Sequence, residues 1–299
     1  MDKFIKFGIV GGDRRIVEAA KVLRKNGHSV SVWGIDSEYF EEDLCKATYE
    51  ETVKDVDVLI LPTPPSEDEV RVNCPLFTKE SGVKIHKLLD AVSSSTVIMG
   101  GRISPRLREF AAKRNLKIFD YFNREELLIK NAVPTAEGAI GIAIDKLPKT
   151  LFGSKVAVVG YGRIGEALAS RLNLLGANVS VFARKSTAIA KAISEGLNGI
   201  RITYKNGESS LAEVAKNYDV IYNTVPYWII TEDIVSKIPR ETLVVDLASA
   251  PGGIDMIAAK KYDLEVIHAL ALPAKTAPSS AGAIVAESIM SIIEEEVTL

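Results

Sequence analysis

The 299-residue chain contains one stretch twice, and that repeat restricts its fold more than any other feature. At an offset of 149 positions and without a gap, Ile9-Val10-Gly11 falls on Val158-Val159-Gly160, and Val17–Ala20 falls on Glu166–Ala169. Gly27-His28-Ser29-Val30-Ser31-Val32-Trp33 then falls on Gly176-Ala177-Asn178-Val179-Ser180-Val181-Phe182. Each half thus opens with the same strand, turn, helix and strand. A unit of that kind buries its faces only inside a larger parallel sheet.

Apolar runs continue the alternation in both halves. The first has Lys6–Val10, Ser29–Trp33, Val58–Leu61, Thr96–Met99 and Lys117–Phe119. The second has Lys155–Val159, Val179–Phe182, Val220–Asn223, Leu243–Asp246 and Glu265–His268. Strands spaced by helix-like segments predict an α/β protein of two Rossmann-like, doubly wound parallel-sheet domains, which also suits the length. The expected boundaries are residues 1–134 for a substrate domain and 135–278 for a dinucleotide domain. Within the latter, 135–150 forms an interdomain helix started by Pro134 and Thr135. Residues 279–299 make a last helix, with Ile284, Val285, Ile289, Ile292 and Ile293 at helical spacing, that returns to the first domain. Its terminal glutamates read as a solvated end.

Gly160-Tyr161-Gly162-Arg163-Ile164-Gly165 is a GxGxxG. It gains weight from its context, after a strand and at the start of an amphipathic helix holding Leu168, Leu172 and Leu175. Gly160 permits the tight turn, Gly162 lets backbone N–H groups approach a pyrophosphate, and Gly165 allows close helix–strand contact, so the helix N-terminus holds the phosphates. At the end of the next strand, where an NAD site places Asp or Glu, stand Arg184-Lys185-Ser186-Thr187. Two cations and two hydroxyls suit a 2'-phosphate, which favours NADP, with NAD the lesser alternative. Thr224-Val225-Pro226 after one strand, and Asp246, Ala248 and Ser249 after another, are expected along the nicotinamide half.

The repeat supplies a control. In the first half Asp13 takes the place of Gly162 and Ile16 that of Gly165, so this half should share the fold without binding dinucleotide. Gly11-Gly12-Asp13-Arg14-Arg15 is either a plain turn with exposed arginines or part of the substrate side, and it is assigned to the latter. Arg102, after Gly100-Gly101, is the preferred carboxylate clamp through a bidentate fork, with a surface arginine as the alternative. Asp13, Arg15, Arg102 and the helix start at Thr135 are expected to hold the substrate between the domains. His28, His86 and His268 fit no metal-ligand spacing. Only His268, near the last strand, is considered for proton transfer. Cys45 and Cys74 read as small buried or neutral residues. No G-x-S-x-G, Walker loop or C-x-x-C occurs, so hydrolase, kinase and redox-thiol chemistry lose their usual support.

With 37 basic and 39 acidic residues the net charge is -2, which offers no footprint for nucleic acid or an anionic membrane. No run of 18 apolar residues occurs and Met1–Lys6 leads straight into a strand pattern, so a cytoplasmic protein that is neither secreted nor membrane-spanning is expected.

Asn131–Ile140, the fingerprint, and Leu270–Gly282, together with Gly11-Gly12-Asp13 and Leu61-Pro62, resemble the A-subunit family of the dipicolinate synthases over essentially the whole chain. That family is similar in layout to the D-2-hydroxyacid dehydrogenases. The resemblance implies oxidation of a dihydrodipicolinate-type intermediate to dipicolinate in the mother cell of a sporulating bacterium, and a flavoprotein-like partner, the dipicolinate synthase B-subunit. A homo-oligomer acting on a small dicarboxylate is the expected assembly. D-2-hydroxyacid dehydrogenases carry a histidine in a TPHxAG-like stretch, whereas Thr276–Gly282 here has none. Oxidation of a dihydropyridine ring has less need of a dedicated base, because aromatisation drives it.

Overall fold

The computed structural model describes residues 4–40, 45–78, 82–205 and 208–297. In chain order the first elements are β1 (Lys6–Val10), α1 (Arg14–Lys25), β2 (Ser29–Trp33), β3 (Cys45–Lys46), α2 (Tyr49–Val53), β4 (Val58–Ile60), α3 (Ile85–Ala91) and β5 (Val97–Gly100). Next come α4 (Pro105–Ala112), β6 (Lys117–Asp120), α5 (Glu125–Lys146), β7 (Lys155–Val159), α6 (Arg163–Leu174), β8 (Asn178–Ala183), α7 (Ser186–Ser194) and β9 (Asn198–Arg201). A small antiparallel hairpin, β10 (Tyr204–Lys205) and β11 (Glu208–Ser209), leads to α8 (Ser210–Val214), β12 (Val220–Asn223), α9 (Glu232–Val235) and β13 (Leu243–Asp246). The chain ends with α10 (Met256–Lys261), β14 (Val266–His268), α11 (Leu272–Thr276) and α12 (Pro278–Glu296).

Two compact units result: residues 1–131 with 273–299, and residues 132–272. Each is built on a six-stranded parallel sheet, ordered β3-β2-β1-β4-β5-β6 in the first and β9-β8-β7-β12-β13-β14 in the second. Both orders are the doubly wound one, with the direction of winding reversing between β1 and β4 and between β7 and β12. The repeat holds in three dimensions, because α1 and α6 begin and end at the same offset of 149. Each helix is followed by a glycine at positive φ, Gly27 at 88° and Gly176 at 79°. The strands β3 and β9 and the hairpin were not foreseen, since they are short edge elements without an apolar run.

The central strands are mostly apolar and buried beyond their first residues because both sheet faces are covered. Along β4 and beyond it, Val58 and Ile60 enter one core with α1 and α12, while Leu59 and Leu61 enter another with α3 and α4. Val156 and Val158 on β7 likewise face one core of the second unit, and Ala157 and Val159 the other.

Two boundaries expected from sequence need correction. Pro134 and Thr135 do not start a helix: α5 runs from Glu125 with Pro134 inside it. Glu125 and Glu126 open its first turn, and Pro134 lacks only the N–H that would have met the carbonyl of Lys130. The division between units falls there, after Asn131, and the chain rejoins the first unit at Pro273, earlier than residue 279. By length and composition α5 could cross a membrane, but half of its apolar window is buried. Leu127 lies in the first unit's core, and Ala136, Ala139, Ile140 and Ala143 lie in the second unit's.

Helix α12 buries Val285, Ala286, Ile289, Ile292 and Ile293 in the core shared with α1. Each fully buried Val or Ile contributes about 1.5–3 kcal/mol. The terminal glutamates are exposed, and two of them, Glu295 and Glu296, pair with Arg124.

Candidate functional site

In the second unit the fingerprint glycines are required by close contacts. Gly160 has φ 98° and donates its N–H to Phe182 O at 2.8 Å. A Cβ there would lie 2.3 Å from Thr224 Oγ1, and one at Gly165 would lie 2.2 Å from the Gly160 carbonyl oxygen. Gly162 differs, because a Cβ at this position meets nothing within 4 Å. It is the N-cap of α6 and supplies no side-chain acceptor. The helix therefore offers its first-turn N–H groups and positive dipole end to an anion, and this arrangement fits a pyrophosphate.

Around that turn the neighbouring strand ends are tied in. Thr224 donates both its N–H (2.9 Å) and its Oγ1 hydrogen (3.0 Å) to Val159 O, locking β12 to β7 where the winding reverses. Tyr161 is buried, and its hydroxyl donates to Glu195 Oε2 at 2.5 Å, linking the turn to the end of α7. Burial, reinforced by Glu195, raises the pKa of that phenol, so it remains a donor. Arg184, Lys185, Ser186 and Thr187 follow directly after β8, the strand beside the fingerprint. Arg163 is exposed and Ile164 half-buried on the first turn of α6.

Asp246, expected from sequence along the nicotinamide half, is instead buried among the strand-end loops. It is 3% exposed, and its oxygens accept from Asn223 Nδ2 (2.8 Å), Ala248 N (3.1 Å) and Gly253 N (3.1 Å). It braces the loops after β12 and β13. Ala248 is buried with it, Ser249 is half-buried, Val225 is half-buried against the core, and Pro226 is exposed on the β12 loop. His268 is exposed, with Nε2 3.3 Å from the Ala248 carbonyl. His86 is exposed too, and His28 is buried edge-on to Phe7.

The same corner of the first unit is closed by the chain itself. Asp13 caps α1 through the N–H of Arg15 (3.0 Å), and the Arg15 guanidinium binds both carboxylate oxygens at 2.6–3.0 Å. Burial would lower the Arg15 pKa, but the hydrogen bonds and charge of Asp13 overcome this and leave it raised. Ile16 sits in the core, and two successive positive-φ glycines, Gly11 (71°) and Gly12 (119°), carry the turn around it. Arg15 is therefore not an open cation for substrate, contrary to expectation.

Arg102 is exposed, adopts φ 56°, and forms no ion pair among the described residues. Its guanidinium carbon lies 5.6 Å from the centre of the Phe122 ring, and that of Arg15 lies 6.0 Å from the same centre. Thr63 and Tyr121 complete the strand ends. The Tyr121 hydroxyl donates to Leu61 O at 2.9 Å, so the Thr63 hydroxyl, also at 2.9 Å, must donate to it. A small cavity of about 20 Å³ beside Arg102, Ser66 and Ser104 has room for about one water, so Arg102 stands on its rim and the cavity does not hold a whole substrate.

Thr135 is the clearest misplacement. It lies in the middle of α5 and is buried, so it offers no helix N-terminus to a carboxylate. Asp120, Tyr121 and Phe122 share the corner around Arg102 and are absent from the sequence candidates. Their signal was the end of the Lys117–Phe119 strand, the same kind of position that had singled out Arg102. Cys74 is half-buried, with burial pushing its thiol up to about 11. The side chain of Cys45, like Met1–Lys3, lies outside the described residues.

Residues 6–122 match the N-terminal domain of the dipicolinate synthase A-subunit, and residues 137–250 match the NAD binding domain of D-isomer specific 2-hydroxyacid dehydrogenases. The dipicolinate synthase A-subunit of Bacillus subtilis is 32% identical over 97% of this chain and 96% of its own length. The crystal structure of the corresponding protein from Bacillus halodurans superimposes with a TM-score of 0.86 at 29% identity, covering 98% of this chain and all of that one. D-lactate dehydrogenase from Escherichia coli, at 14% identity and a TM-score of 0.58 over 98% of both chains, shares the fold.

Proposed function

The chain belongs to the A-subunit family of the dipicolinate synthases, and from that membership we propose that it oxidises a dihydrodipicolinate-type intermediate, derived from 4-hydroxytetrahydrodipicolinate, to dipicolinate with NADP. The observation that carries the proposal is the N-terminus of α6 at Gly162, which has no side-chain cap in a unit of doubly wound strand order. A nicotinamide dinucleotide held at the N-terminus of α6 would supply an acceptor for the hydride lost from a ring carbon of the substrate. The ring also gives up one proton, so dihydrodipicolinate and NADP⁺ yield dipicolinate, NADPH and H⁺. The first-turn N–H groups of α6 hold the pyrophosphate and Arg102 holds a substrate carboxylate, and their contribution is to fix the orientation of the reactants.

Thr276–Gly282 contains no histidine, which favours this reaction over oxidation of a 2-hydroxyacid, where a base must take the hydroxyl proton. We further assign the chain to the cytoplasm of the mother cell during sporulation, as a homo-oligomer working with the dipicolinate synthase B-subunit. Rapid mixing of the folded chain, NADP and freshly generated substrate should raise the reduced-nicotinamide absorbance in step with dipicolinate. A chain that binds NADP yet gives a flat trace would instead be a dinucleotide sensor.

Selectivity for NADP is assigned to Arg184, Lys185 and Ser186, which follow the end of β8. A charge-assisted pair with a 2'-phosphate is worth about tenfold to a hundredfold in affinity. Arg184→Ala should weaken NADP by that factor and leave NAD unchanged in a fluorescence titration. Equal losses would place Arg184 on the part of the cofactor that the two share.

A further inference from the structure

Asp120 ends β6 with its side chain 4% exposed, and three backbone N–H groups converge on its carboxylate. Arg102 N and Phe122 N each donate to Oδ1 at 2.9 Å, and Ile103 N donates to Oδ2 at 2.8 Å. Arg108 Nη2 reaches Oδ2 at 3.4 Å. One buried carboxylate thereby fixes both the backbone of Arg102 and the turn that carries Phe122. The Arg102 backbone needs such a hold, since φ 56° is unfavourable for a residue with a side chain. Gly101 allows the approach, because a Cβ there would come within 2.7 Å of the rings of both Tyr121 and Phe122.

The two guanidinium groups near the Phe122 ring differ in what they can still bind. Arg15 is committed to Asp13, whereas Arg102 meets no carboxylate among the described residues. Resting on the reading that the first unit holds the substrate, we propose that Asp120 and Phe122 are positioning residues. They hold Arg102 in the orientation that receives one carboxylate of the ligand, and Arg15 braces the turn without binding the other. The anchor is thus built for a single carboxylate, and a pyridine bearing one carboxylate should depend on it as strongly as one bearing two.

The test is calorimetric titration of the full chain with pyridine-2,6-dicarboxylate and, separately, pyridine-2-carboxylate. Phe122→Leu, which keeps the backbone bonds to Asp120, should weaken both ligands about twofold to fivefold, the range of an exposed cation–π contact. Asp120→Asn, which turns an amide toward N–H donors, should weaken both about tenfold, and Arg102→Ala by at least as much. In the Arg102→Ala background neither Phe122→Leu nor Asp120→Asn should weaken binding further, which a merely structural role would not produce. NADP affinity should stay at the parent value in every variant. Losses that add in the double variants, or parent-like affinity in Phe122→Leu, would overturn the positioning role while leaving the reaction untouched. A parent chain that binds neither pyridine carboxylate would overturn the substrate reading, and this inference with it.

Discussion

Gly162→Asp should leave the protein folded and reduce NADP affinity by at least a hundredfold. The first unit already shows how this backbone accommodates an aspartate. Gly162 has φ −100° and ψ −165°, and Asp13, at the same place in the repeat, has φ −98° and ψ −172°. An aspartate thus fits this backbone without strain, and a Cβ at Gly162 has open space. The new carboxylate would cap α6 as Asp13 caps α1, a gain over glycine of only about a few tenths of a kcal/mol for the helix. It would also stand where the pyrophosphate must approach. Two like charges about 4 Å apart at an effective dielectric of about 20 repel by about 4 kcal/mol, close to a thousandfold in affinity. Nicotinamide fluorescence and a thermal melt on one preparation would measure both effects. An unchanged Kd would remove the α6 N-terminus from the cofactor site, and a collapsed melt would mean that the loss reports unfolding.

The glycine turn of the second unit was legible from sequence because its determinants are local. Gly160, Gly162 and Gly165 lie within one turn, and their reasons, a positive φ, an open N-cap and a helix–strand contact, are fixed by backbone geometry alone. The 149-residue repeat carried the fold for a similar reason, since a strand, turn and helix written twice demand the same packing twice. The corner around Arg102 in the first unit depends on contacts that no local spacing encodes. Asp120 reaches Arg102 across 18 residues, and Arg15 meets Phe122 across more than a hundred. Arg15 looked like an available cation because sequence shows its charge and not its ion pair with Asp13. Pro134 looked like a helix start because proline is favoured in a first turn. The alternative, a long helix that gives up one hydrogen bond where the chain passes from one unit to the other, gives the same local pattern. Asp246 was correctly placed at a strand end, but burial and three donors turn it from a ligand contact into a brace.

Two helical glycines should respond to alanine and larger side chains with opposite signs, which tests how α12 is seated in the first unit. Glycine inside a helix costs about 0.5–1 kcal/mol relative to alanine, so propensity alone would make both substitutions stabilising. At Gly141 in α5 a Cβ meets nothing within 4 Å, and propensity decides. Gly141→Ala should raise the melting temperature by about 2 °C. At Gly282 in α12 a Cβ would lie 2.4 Å from Glu18 Cβ, 2.6 Å from Arg15 O and 2.8 Å from Ala19 N. Two of these are backbone atoms of α1, which cannot yield without shifting the helix. Its first turn carries the Asp13–Arg15 pair, and its apolar face shares a core with Ile289 and Ile292. Overpacking of a core commonly costs about 1–3 kcal/mol, and contact with backbone puts this site at or above the upper end. Gly282→Val should therefore lower the melting temperature of the first unit by about 6–12 °C, at roughly 2–4 °C per kcal/mol. NADP should still bind below that transition, because the α6 site belongs to the other unit. A Gly282→Val protein that melts with the parent would mean that α12 does not pack against α1 through this glycine.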